Sequence, residues 1–128
     1  MQDQLRALIS RHCAWLTGQV SEIAAALGAL QAGSGEPRDA LRQAIELTHQ
    51  ISGTSGSMGF AEVSEAASDL EYHLLDVEAH GLAIDASETA RILALFVALE
   101  TVSSGLRAER SSLYDADLSG LMRARGED

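Results

Sequence analysis

An all-α fold, an antiparallel up-down four-helix bundle, is the architecture this sequence predicts, and three observations carry it. Alanine and leucine dominate, aromatic residues make up only 4%, and there is one proline, a mix that favours helices over sheets. Apolar residues recur at steps of three and four in four separate stretches, the period of an amphipathic helix. Short connections join the stretches, and short connections make successive helices antiparallel neighbours. A chain of 128 residues that is 46% apolar suits one domain with one core. The expected division is a bundle over 1–110 and a short C-terminal tail or helix over 111–128.

The first helix is expected over 2–32. Leu5, Leu8, Ile9, Leu16, Val20, Ile23, Leu27 and Leu30 trace one stripe, with Cys13 and Trp15 near it and Gly18 interrupting without a change of phase. Gly33 fits a left-handed stop, and Pro37 fits the first turn of the next helix. The second helix is expected from Pro37 to Ser55, with Leu41, Ala44, Ile45, Thr48 and Ile51 inward, followed by a break over 55–59. The third covers Phe60 to Ala79, with Val63, Ala66, Ala67, Leu70, Leu74 and Val77 inward, and His80-Gly81 ends it. Asp85-Ala86-Ser87-Glu88 has the pattern of a capping box, with Asp in place of Ser or Thr. The fourth helix then runs to about Leu106 through Ile92, Leu93, Phe96, Leu99 and Val102. Beyond Arg110 only a weakly amphipathic patch, Tyr114 to Met122, suggests structure.

Charge and composition exclude several classes. A formal net charge of −10 argues against nucleic acid, whose phosphates demand a basic patch, and against anionic membrane surfaces. It permits a basic partner, and solubility alone also accounts for it. No apolar run approaches the ~20 residues that span a bilayer. Met1 to Gln4 lacks the basic region of a signal peptide, and Cys13, the single cysteine, has no internal disulfide partner. A cytoplasmic protein is expected. A monomer is expected too, because such a bundle closes on itself.

Chemistry concentrates in the run His49-Gln50-Ile51-Ser52-Gly53-Thr54-Ser55-Gly56-Ser57-Met58-Gly59. At about 100° per residue, His49 lies a quarter turn or more from the inward direction of its helix. It is therefore expected at least partly exposed. Arg42, Ile45, Glu46, Ser52, Gly53 and Gly56 are its neighbours three, four or seven positions away. Glycine inside a helix costs roughly 1 kcal/mol against alanine. Gly53 and Gly56 are thus expected to leave bare backbone beside the imidazole, with Ile45 and Glu46 on the same docking surface. Histidine serves near neutral pH as proton carrier, nucleophile or metal ligand.

The pattern His49-x-Ile51-x-Gly53-Thr54-Ser55-x-x-Met58-Gly59 closely resembles the phosphoacceptor motif of histidine-containing phosphotransfer (HPt) domains. The segment Phe60 to Ala67 also resembles the start of the third helix of such domains. The resemblance implies a phosphorelay intermediate of two-component signal transduction. His49 would accept a phosphoryl group from an aspartate of one response-regulator receiver domain and pass it to another. A hybrid histidine kinase is a further partner so implied. The receiver supplies Mg²⁺, so no cofactor or metal is expected here, and neither is kinase or nucleotide-binding activity. The resemblance also implies that Glu71 on the third helix accepts from Nδ1 of His49 and orients the ring, leaving Nε2 as nucleophile. Family members often carry Lys three residues after the histidine, where this chain has Ser52. Arg42 is the nearby cation proposed in its stead. Thr54 and Ser55 are expected to close the helix end by hydrogen bonds.

Rival readings fare worse. Glu46-x-x-His49 has di-iron spacing, but no second such pair exists, and His12-Cys13 lacks structural zinc spacing. Gly53-Thr54-Ser55-Gly56-Ser57 lacks the final glycine and the preceding strand of a nucleophile elbow. A helical adaptor that docks a signalling partner without phosphotransfer is the main alternative. His12, on a helix flank, and His73 and His80, near a helix C-terminus, carry no assigned role.

Overall fold

The computed structural model describes residues 2–33, 35–81 and 84–115. Four helices follow in order: α1 Gln2–Ala32, α2 Pro37–Ser57, α3 Ala61–Ala79 and α4 Ala86–Ser103, with a 3₁₀ turn at Ala108–Arg110. Each helix packs on the next, and α1 also meets α4, which closes the bundle. The predicted four-helix bundle is the observed architecture. Among the described residues no helix is long and apolar enough to cross a membrane.

Ile9, Leu16 and Ile23 of α1, Leu41 and Ile51 of α2, Val63, Leu70 and Leu74 of α3, and Leu99 of α4 are fully buried. Each such side chain contributes about 1.5–3 kcal/mol by leaving water. Packing of the stripes, more than helix propensity, therefore holds the helices in place. Two residues expected on the stripes lie outside: Leu8 is 46% exposed and Leu93 58%. Each adjoins a better-centred residue, Ile9 or Ile92, and lies about 100° round the helix from it, on the edge of the stripe.

α2 outlasts its expected end at Ser55 by two residues and stops in a Schellman turn. Phe60 N–H donates to the Ser55 carbonyl at 2.9 Å and Gly59 N–H to the Gly56 carbonyl at 3.2 Å. Gly59 takes φ +85 at the C′ position. A Cβ there would also lie 2.5 Å from Ser111 Oγ, so the turn excludes other residues twice over. The Ser111 hydroxyl donates to the Met58 carbonyl, and Ser112 N–H donates to the Gly59 carbonyl at 3.0 Å.

α4 begins as predicted, with Asp85 Oδ1 accepting from Glu88 N–H at 2.8 Å. The Glu88 carboxylate does not return to the cap; it accepts from His73 Nε2–H at 2.7 Å and ties α3 to α4. α4 ends at Ser103, short of the expected Leu106, and Gly105 turns the chain with φ +68. Residues 111–115 are fastened to the bundle. Arg6 donates from Nε to the Tyr114 carbonyl at 3.0 Å and from Nη2 to Asp115 at 2.8 Å, and its guanidinium lies over the Tyr114 ring. The expected amphipathic patch beyond Asp115 lies outside the described residues.

Candidate functional site

α2 and α3 run antiparallel, and their outer seam is a ladder of polar pairs. Arg42 faces Glu78, His49 faces Glu71, and Ser52 faces Ser68. A step of seven residues up α2 matches a step of seven down α3, and the next rung follows at three. Two turns of helix separate the first rungs and about one turn the next, so His49 has a rung on either side.

His49 is 77% exposed at its side chain, while Glu71 is only 18% exposed. Their contact is a 2.9 Å hydrogen bond between Nδ1 and Glu71 Oε2. An ionised carboxylate only accepts, so Nδ1 carries the hydrogen, and in the neutral ring Nε2 keeps the lone pair. Nε2 has no protein partner among the described residues. The histidine is thus held in one tautomer on a rigid element, with its free nitrogen available to a partner.

The other residues singled out by the sequence fall in different places. Arg42 is bound to Glu78 through Nε at 3.3 Å and Nη2 at 3.2 Å. It lies two turns from His49 and faces this carboxylate of α3 across the seam. Ile45 is 3% exposed and belongs to the core, so its expected part in the docking surface is corrected; the inward arc of α2 is wide enough to claim it. Glu46 is exposed beside His49. Gly53 is exposed, and a Cβ there would meet nothing within 4 Å. At Gly56 a Cβ would lie 3.2 Å from Ser64 Oγ, so this glycine also admits the first turn of α3.

Ser52 is half-buried and its hydroxyl is hydrogen-bonded to that of Ser68. The Ser64 hydroxyl donates to the Ser52 carbonyl at 2.8 Å. Sequence reasoning missed Ser64 and Ser68. The signal available was their position on α3 at seven and three residues before Glu71, which puts all three on one face.

Behind the seam lies His12 of α1, expected on a helix flank and in fact only 5% exposed. Its Nε2 shares a 2.9 Å hydrogen bond with the Ser55 hydroxyl. Its ring stacks on Phe60 with centroids 5.8 Å apart and packs near Trp15. Nδ1 has no partner. Burial lowers its pKa from the ordinary 6.5. The carbonyls of Thr54 and Ser55 close the end of α2, while the Ser55 hydroxyl serves the contact with α1. Cys13 is partly buried, and burial, with help from Glu109, raises its thiol pKa, away from the reactive range. Among the described residues no three His, Cys, Asp or Glu side chains converge as a metal site.

Comparison with protein families matches the model described as Hpt domain to residues 7–109. Comparison with curated proteins and with solved structures gives no match.

Proposed function

Since the chain belongs to the Hpt domain family, the phosphotransfer modules of two-component signalling, we propose that it is a phosphorelay intermediate whose phosphoryl carrier is His49. The observation that carries this is the exposed imidazole held through Nδ1 by Glu71 at 2.9 Å. Its Nε2 lone pair attacks the phosphorus of an aspartyl phosphate on a receiver domain. The Nε2–P bond forms as the P–O bond to the aspartate breaks, and the aspartate leaves with the electron pair as carboxylate. The ring then carries positive charge, which the Glu71 carboxylate stabilises across the Nδ1–H bond. Attack by the aspartate of a second receiver reverses these steps. The receiver brings Mg²⁺ and orients the phosphoryl group; this chain contributes a nucleophile and a docking face.

Gly53 and Gly56, with Glu46 at the edge, form the floor of that face, open on the Gly53 side. The partners are response-regulator receivers and, upstream, a hybrid histidine kinase; the setting is cytoplasmic, and the carrier acts as a monomer. Incubation with a phosphorylated receiver should give an acid-labile, base-stable label on the protein. His49→Ala should abolish that label with helical circular dichroism unchanged. Label retained by the variant would refute the assignment.

A further inference from the structure

We propose that the Ser52–Ser68 hydroxyl pair holds the phosphoryl group carried by His49, an inference that rests on the carrier reading above. A phosphoryl group on Nε2 is a dianion with three acceptor oxygens and needs donors. Cations are scarce around it. The chain has no lysine, α3 has no arginine, and α2 has only Arg38 and Arg42. Arg42 is two turns away and faces Glu78 across the seam. Glu46 and Glu71 on either side are negative.

The neighbouring rung of the seam supplies what is missing. Ser52 lies three residues after His49 on α2, and Ser68 lies three residues before Glu71 on α3. Residues at this spacing have Cβ atoms about 5–6 Å apart, within reach of an oxygen that projects from an imidazole nitrogen. The Ser64 hydroxyl is spent on the Ser52 carbonyl, but the Ser52 and Ser68 hydroxyls bond to each other. Two hydroxyls hold two hydrogens, and their shared bond uses one. Whichever serine donates, the hydrogen of the other has no protein acceptor among the described residues. The pair therefore offers one O–H to the phosphoryl group, and two if the shared bond opens. These donors are neutral, so the group is held by hydrogen bonds without charge neutralisation and stays easy to pass on.

Phosphoramidate tests this without a receiver. Its P–N bond breaks as Nε2–P forms, and ammonia leaves with the electron pair and a proton. After removal of the donor, ³¹P NMR follows loss of phosphohistidine to water. The Ser52→Ala/Ser68→Ala protein should lose the His49 label about threefold faster or more, the effect of a weakened hydrogen bond to a charged group at an exposed site. Its phosphoryl resonance should titrate at higher pH than in the wild type, because lost donors favour the protonated phosphoryl group. Ser52→Thr/Ser68→Thr, which keeps both hydroxyls, should restore both readouts. Alanine forms helix better than serine, so circular dichroism should stay unchanged. Wild-type lifetime and titration in the alanine protein overturn the proposal, and transfer from a receiver to His49 would leave the carrier reading standing. Label from phosphoramidate but not from any receiver would sink the carrier reading while the lifetimes still decide the serine pair. Absence of His49 label from phosphoramidate overturns both.

Discussion

At the scale of single residues, Gly53 gives the sharpest test of the proposed docking face. A Cβ at this position meets nothing within 4 Å, so no internal contact demands glycine. Gly53→Ala should therefore stabilise the bundle by roughly 0.5–1 kcal/mol through helix propensity. Gly53→Gln should keep or raise the thermal midpoint and yet slow phosphotransfer from a receiver severalfold. Transfer at the wild-type rate would remove the close-approach reason for the glycine. His49 and Gly53 were legible in the sequence because helical offsets give directions about the axis of their own helix. Glu71 was legible only through the family resemblance, and its 2.9 Å contact with His49 agrees with that. Ile45 was read both as inward and as part of the docking surface, because it lies near both directions, and burial bears out the first and corrects the second. Ser64 and Ser68 were overlooked because serine on an exposed helix face ordinarily signals nothing.

At the scale of elements, helix starts were more legible than helix ends. Pro37 and Asp85 announced α2 and α4 through local chemistry, a fixed φ and a carboxylate cap. Asp85→Ala should cost about 1 kcal/mol in urea unfolding and leave phosphotransfer unchanged, since α4 carries no residue of the site. An effect on transfer would mean that α4 supports the seam through His73 and Glu88. The ends of α2 and α4 shifted because they depend on where the chain must turn. α2 continues until the Schellman turn at Gly59, which is braced by Ser111 and Ser112 from the far end of the chain. No local pattern around Ser55 contains that contact.

At the scale of the whole molecule, His12 couples the bundle to pH. In the unfolded chain it binds a proton near 6.5, and in the fold only at lower pH, because burial disfavours the charged ring. Between those values the unfolded state binds more protons. His12 therefore adds a loss of stability as pH falls below about 6.5, and none above it. Thermal unfolding from pH 7.5 to 5.5 should show a smaller drop in midpoint for His12→Gln, which retains an amide for Ser55 and does not titrate. An equal drop would assign the pH dependence to other groups. Sequence periodicity by itself determined four amphipathic helices, their order around one core and an exposed His49, because a 3.6-residue period states which side of each helix is apolar. The tertiary structure alone decided how far each helix slides along its neighbour. That offset put Ser68 against Ser52, set Arg42 against Glu78, and buried His12 against Ser55. Periodicity is unchanged by a shift along the axis, so the axial register comes only from side chains packing across two helices.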